Sequence, residues 1–438
     1  MAEEKAIEGL PSEFDYFTKP IYQAAILDEY DQDFAPLAPV QAGSPIDFHI
    51  PPTSDLYRDL NNTKLMVQCK LTKADNSAVG ANDVGPVNLL LHSLFSSIDL
   101  KLDGTSVNDT SDLYPYRAFL ETILNYDHHV LKTRGYLEGW EKDTAGKLDI
   151  TTAAANGTNA GLVARVGRFG TSAVVTLMGR LHLDLFHQNK DIPSFTDIQL
   201  RLTPNNNKFL LLNAAPADDA VQEIYKVVIT EAKLFVRTKK VSPSLMVAHQ
   251  QVLQSTPFRM DFTKVTMQKL QIASGVSTIT LPDLYLGTIP DRVAIGFVRD
   301  DALAGSYTLN PFNFEHSNIS SIKLEVNSEQ VPKVALEPNF AKAGSYLREY
   351  MYTLDSLGYD TGQHIFDLTP VEWANGFTIF AFKLTGGPLG TIRAAPRTGV
   401  VRLSLKFSQA TARNISAIVM AEQPATLEID KYHHVVIA

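Results

Sequence analysis

One internal repeat limits the fold of this chain more than anything else in it. Residues 96–107, SSIDLKLDGTSV, align without gaps to residues 320–331, SSIKLEVNSEQV, displaced by 224 positions. Each copy reads as a strand, a two-residue turn (Asp103-Gly104; Asn327-Ser328) and a return strand. A strand lies about 30 residues upstream of each, KLMVQCKL from Lys64 and RVAIGFV from Arg292. Downstream come a helix and two further strands: VTLMGRLHLDLF and IQLRL after the first copy, GFTIFAFKL and VRLSL after the second. This period is far above the roughly 20–50 residues of a solenoid unit, so the chain is a tandem of two globular copies.

Period-two patterning says what each copy is made of. Val175, Leu177, Leu181, Leu183 and Leu185 alternate with Thr176, Met178, Arg180, His182 and Asp184, which predicts one half-buried strand across 175–185. Shorter runs follow at Ile198–Leu202 and Val401–Phe407, parted by turn residues, as in β-sandwiches or barrels. Helical spacing is scarce. Tyr116, Phe119, Leu120, Ile123 and Leu124, with Pro115 in the first turn, form one stripe, and Leu347, Tyr350, Met351 and Leu354 a second. Both are expected to face the core. The fold class is therefore all-β, two tandem sandwiches with a short helix after the central hairpin of each, spanning 41–240 and 241–438.

The boundary is expected at a short basic connector, Arg237, Lys239 and Lys240, ahead of Pro243. No Gly/Ser-rich linker separates the copies, so they should pack rigidly. The Gly/Ala/Asn-rich segment 127–174 reads as a large surface loop, the kind of segment in which function concentrates.

Charge sets the N-terminus apart. Nine acids against two lysines place −7 of the formal −9 on residues 1–33. With scattered aromatics and prolines, residues 1–40 read as an extended acidic arm. An acidic balance argues against nucleic-acid binding driven mainly by charge, while leaving room for one local basic patch, and no sequence-specific nucleic-acid binding is expected. With 45% hydrophobic residues and no apolar run near ~18, the chain should bury real cores and have no membrane span. A single cysteine, Cys69, excludes an intramolecular disulfide and CxxC-type metal or redox sites. The opening MAEEKAIEGL lacks an apolar h-region, so no secretion signal is expected.

Catalytic motifs are absent: no G-x-S-x-G, Walker A or G-x-G-x-x-G occurs. His182-Leu-Asp184, with His249, His316 or His364, is the one pattern that suits a jelly-roll non-haem iron oxygenase. Its place inside an alternating strand favours an ordinary polar face. GRFG (167–170) with Arg165 and Arg168 is a small basic loop that falls short of a phosphate groove. Trp140 and Trp373 fall at loop-like positions and give no aromatic platform for carbohydrate. No catalytic, cofactor-binding or metal-ligating residue is assigned, no cofactor is expected, and a structural or assembly role is favoured over an enzyme.

The segments VGPVNLLLHSLFSSIDLKLDG (84–104), YPYRAFLETILNY (114–126), GRLHLDLFHQNK (179–190), LPDLYLGTIPDRVAIGFV (281–298), GSYTLNPFNFEHSNISSIKLEVNSEQVP (305–332) and NGFTIFAFKLT (375–385) together resemble the major capsid proteins of Polinton/Maverick elements and their adintovirus relatives. The resemblance runs in order from about Phe14 to the C-terminus; it departs at Lys383 and Gly386-Gly387, where the family often has an acid. It implies a double jelly roll, three chains forming a pseudo-hexagonal homotrimer, and an icosahedral virion shell around double-stranded DNA. Neighbouring capsomers, a single jelly-roll penton protein and minor capsid proteins would be its partners, and synthesis would be in the host cytoplasm or nucleus. Loops 127–174 and 355–374 would build the outer towers. On this reading the arm docks through Phe14, Phe17 and Tyr22 on a neighbouring capsomer, a minor protein, or a basic surface such as Arg237, Lys239 and Lys240.

Overall fold

The computed structural model describes residues 22–152, 157–213, 224–358, 366–385, 395 and 397–437. Eight strands form the two main sheets of the first unit, beside a two-residue ribbon of Gly85–Pro86 with Leu211–Leu212: β1 (Ile26–Phe34), β2 (Ile46–Ile50), β3 (Leu56–Lys73), β4 (Phe95–Leu102), β5 (Thr105–Ser106), β6 (Val175–Gly179), β7 (Ile198–Pro204) and β8 (Tyr225–Val241). Eight more build the second: β9 (Phe258–Ile272), β10 (Thr278–Thr288), β11 (Arg292–Arg299), β12 (Ile319–Val326), β13 (Glu329–Leu336), β14 (Ile379–Lys383), β15 (Thr398–Phe407) and β16 (Ile415–Ile429). A short β17 (Val435–Ile437) edges β16.

Strand order repeats as the sequence does. The first unit has sheets β1-β8-β3-β6 and β2-β7-β4-β5; the second has β9-β16-β11-β14 and β10-β15-β12-β13. Each strand of the first unit thus has a counterpart in the same place in the second. The duplicated hairpins become β4-β5 and β12-β13, and both turn residues of each are left-handed: Asp103 and Gly104 at φ 47° and 82°, Asn327 and Ser328 at 51° and 71°. Two successive positive φ values define a type I′ turn, whose twist matches that of the strands it joins.

Register explains the patterning. In β7, Ile198, Leu200 and Leu202 are buried while Gln199 and Arg201 are exposed. They pair with Leu102, Leu100 and Ile98 of β4, so two apolar sets share one inner face. β11 is apolar throughout for a different reason. Val293, Ile295 and Phe297 enter the core of the second sandwich, whereas Ala294 and Val298 enter a core shared with the first unit. β14 and β16 divide the same way, Phe380 and Val419 inward, Ile379 and Ile418 toward the first unit. This sheet is covered on both faces, which produces near-continuous hydrophobic runs instead of alternation.

Its outer cover includes helix α1 (Tyr114–Asn125). The stripe of Tyr116, Phe119, Leu120, Ile123 and Leu124 is fully buried, as expected. Phe119 stacks on Phe312 with ring centroids 4.3 Å apart, and Tyr116 donates its hydroxyl hydrogen to the Pro311 carbonyl at 3.0 Å. Burying one such aromatic contributes ~1.5–3 kcal/mol. Gly296 of β11 permits this approach, since a Cβ there would lie 2.3 Å from the Phe314 ring.

Several expectations need correction. Residues 26–34 do not leave the body: β1 pairs antiparallel with β8 along its length. Arg237, Lys239 and Lys240 are not a connector but lie within β8, and the crossing is made by helix α3 (Pro243–Leu253), capped by Ser242. The strand predicted over 175–185 ends at Gly179, and Asp184–His187 forms a 3₁₀ turn. The described part of 127–174 is no solvated loop: it carries short helices and α2 (Ala160–Phe169), and buries Trp140, Leu148, Leu162, Val166 and Phe169. The second helical stripe also differs. In α4 (Leu347–Leu357), Leu347 and Met351 are 49% and 52% exposed, while Glu349, Thr353 and Ser356 face inward. The described part of 355–374 includes the end of α4 and a helix at Pro370–Ala374 begun by a Thr369/Glu372 capping box.

Candidate functional site

Charge is buried where the two units meet. Arg117 and Glu121, one turn apart on α1, lie off the aromatic stripe and are both buried. The Arg117 guanidinium donates from Nε to Glu121 Oε1 at 2.9 Å and from Nη2 to Asp184 Oδ1 at 2.6 Å. Asp184 also accepts the backbone N–H of Val265 in β9, at 3.2 Å, which ties the first unit to the second. Glu121 Oε2 lies 2.6 Å from His182 Nδ1 and 3.5 Å from His187 Nε2. Behind them, His92 Nδ1 is 2.9 Å from the Tyr114 hydroxyl, and Glu138 accepts from Arg134 Nε at 3.1 Å.

The electrostatics follow from burial and its partners. Burial alone would raise the Glu121 carboxyl, but Arg117, with His182 and His187, outweighs it and holds Glu121 far below the usual carboxylate range. Glu138 is held at about 2 against its own burial by His92, His182 and Arg134. For Asp184 the balance tips the other way, and burial leaves its carboxyl raised despite Arg117. Burial pushes the His92 imidazole down to about 4. The cluster opens into a cleft of about 320 Å³ between the units, lined in part by Tyr126, Arg180, His187, Arg292 and Glu422. This geometry makes a clamp: each carboxylate is engaged by a cation or a histidine.

The sequence-expected residues fall as follows. His182 and Asp184 are both buried and engaged with different partners, Glu121 and Arg117; they are not the solvated polar face expected of a strand. Among the described residues, the two histidine-containing groups with metal-ligating spacing are His92/Glu138/His182 and Glu121/His182/His187, neither of which includes Asp184. His249 lies 2.7 Å from the Tyr57 hydroxyl and His316 stacks on Phe340; His364 is outside the described residues. Arg165 is buried against Asp143 and Arg168 covers the Tyr136 ring, so GRFG is no phosphate loop. Trp140 and Trp373 are core residues, and Trp373 Nε1 donates to the Ile379 carbonyl. Cys69 is buried in β3 with its thiol pushed up to about 12 by desolvation.

Of the assembly candidates, Phe14 and Phe17 lie outside the described residues, and Tyr22 is 79% exposed. The basic trio meets acid from its own chain. Asp31, Glu29 and Asp28 pair across the ladder with Arg237, Lys239 and Lys240, and Arg237 contacts Asp31 at 2.7 Å and Glu29 at 3.3 Å. Lys239 turns the other way and bridges Asp59 and Asp191, each at 2.9 Å. Sequence reasoning missed Arg117, Glu121, Glu138 and His92; an Arg/Glu pair four apart inside an otherwise apolar helix was the available signal.

Two eight-stranded sandwiches of identical strand order, joined in tandem and sharing a core, make this fold a double jelly roll. No protein-family model matches the chain. An uncharacterized protein of Caenorhabditis elegans is 22% identical over 363 residues, covering 79% of this chain and 81% of its own. Among solved structures, the Sputnik virophage structure superposes with a TM-score of 0.64 at 10% identity, covering 99% of this chain and 93% of that one. The Faustovirus major capsid protein gives 0.57 at 9%, covering 94% and 92%. The mavirus major capsid protein gives 0.52 at 11%, covering 100% and 96%. At such identities the likeness is one of fold.

Proposed function

We propose that this protein is a major capsid protein that builds a virion shell and has no catalytic role. One observation carries the reading: its duplicated topology matches the Faustovirus and mavirus major capsid proteins over more than nine tenths of both partners. A jelly-roll oxygenase would need only one such unit. The unit of assembly is a pseudo-hexagonal homotrimer, because three copies of a duplicated unit present six similar edges. Such trimers would pave an icosahedral shell around double-stranded DNA, with a penton protein and minor capsid proteins at special positions.

The helices support this. In α1 the aromatic stripe is buried because the second unit covers it. Its counterpart α4 has no third unit within the chain and leaves Leu347 and Met351 exposed. A neighbouring copy is the natural cover, and the chain's segment before β1, with Phe14, Phe17 and Tyr22, is the candidate to reach across to it. The Polinton/Maverick lineage is the reading supported by the segments that resemble that family, such as 84–104 and 305–332. Negative-stain microscopy of the purified full chain tests the proposal. Hexagonal particles or closed shells are expected; monodisperse single chains at high concentration would contradict it.

A further inference from the structure

Two buried imidazole nitrogens beneath α1 make no hydrogen bond. His92 sits on a short helix, Leu90–Ser93, and His182 just beyond β6; each is about 1% exposed. Each imidazole uses Nδ1 outward, His92 toward the Tyr114 hydroxyl at 2.9 Å and His182 toward Glu121 Oε2 at 2.6 Å. The nitrogen left over on each is Nε2, and both Nε2 atoms are buried without a hydrogen-bond partner. The rings meet edge to face with centroids 4.7 Å apart. Glu138, also buried, brings Oε2 to 3.6 Å from His92 Nε2, and one donor atom from each of the three residues lies within 4.8 Å of the others.

From this geometry we propose that His92, Glu138 and His182 form a binding site for one divalent first-row transition ion, with zinc the cellular choice. Tetrahedral zinc, with bonds of ~2.0–2.2 Å, sets its donors roughly 3.3–3.6 Å apart, close to the separation already present between His92 and Glu138. Two imidazoles and one carboxylate form a borderline nitrogen/oxygen set that suits zinc, iron or cobalt better than calcium or magnesium. The surroundings suit ligated histidines: the Glu121 carboxylate accepts from His182 Nδ1–H and leaves Nε2 free to ligate, and the Tyr114 hydroxyl is able to accept from His92 Nδ1–H in the same way. Arg134 holds the other oxygen of Glu138. The jelly roll itself does not demand this cluster. The repeat places His316 224 residues after His92, yet His316 stacks on Phe340 and belongs to none of the metal-spaced groups among the described residues.

The ion would pin three segments of the first unit together, and it does so whether or not the protein builds a shell. The test uses the tag-free full chain, stripped with chelator, reloaded with zinc or cobalt(II) chloride and desalted. One metal per chain, visible cobalt(II) ligand-field bands of a low-coordinate site, and a Tm raised by at least ~2 °C with zinc but not magnesium are expected. His182→Gln and Glu138→Gln should abolish loading, whereas His187→Gln should keep it. Folding of each variant is checked by circular dichroism. Wild-type chain that retains no stoichiometric metal and shows no Tm change overturns the proposal. So does loss of loading in His187→Gln, which would move the ion to the Glu121/His182/His187 group.

Discussion

At the scale of single residues, buried ion pairs decide more than surface ones. Arg117 is enclosed by Glu121 and Asp184, and removing it takes the cation from two largely buried carboxylates. Arg117→Met should therefore cost ~3–5 kcal/mol, read as a lower denaturation midpoint at unchanged m-value. Lys239 offers a pH test. Burial would raise the Asp59 carboxyl, but hydrogen bonds from Asn62 and Lys239 outweigh it and leave it below the usual range. A depressed folded pKa stabilises above the unfolded value and loses that contribution as pH falls through the folded one. The Tm advantage of wild type over Asp59→Asn should thus be full at neutral pH, begin to shrink as pH nears the unfolded value of about 4, and be lost only as pH falls further through the lower folded value. A constant difference across that range would contradict the assignment. Only the Arg117/Glu121 spacing was legible in the sequence; His182 and Asp184 have the spacing of an exposed strand face, and only the tertiary fold turns them onto α1.

At the scale of elements, the strands with a repeated sequence were legible and the irregular segments were not. The hairpins at 96–107 and 320–331 emerge as expected because the alternation and the turn residues are local causes. β1 escaped notice because its acids, Asp28, Glu29, Asp31 and Asp33, have low strand propensity and are held by pairing with the basic β8. Deleting residues 1–21 should leave Tm unchanged and alter particle yield or salt tolerance. Deleting 1–34 should in addition bare the edge of β8 and cause aggregation, seen by light scattering on expression. If both truncations behave alike, β1 is not an integral strand. Helix α4 gives the complementary test. Leu347→Glu with Met351→Glu should keep the Tm of the isolated chain within about 2 °C, since both side chains are already half in water, while abolishing assembly. Unchanged assembly would free α4 of any contact role.

At the scale of the whole molecule, duplication is the feature from which the rest follows. Two equal sandwiches share a core through the doubly covered sheet β9-β16-β11-β14, so they act as one rigid body with two similar outer flanks. The two-unit architecture could be read from the 224-residue displacement alone. That one sheet would be buried on both faces could not, although the unbroken apolar run in β11 was its trace. Most of the formal charge that set the N-terminus apart is divided between the segment before β1 and β1 itself, where it is partly neutralised in cis by Arg237. The body left over is close to neutral, a condition under which copies pack without strong mutual repulsion. Size-exclusion chromatography with multi-angle light scattering on the full chain tests the assembly most directly. A stable species of three times the 48.3 kDa chain mass is expected, held across dilution; a single chain mass at every concentration would contradict the account.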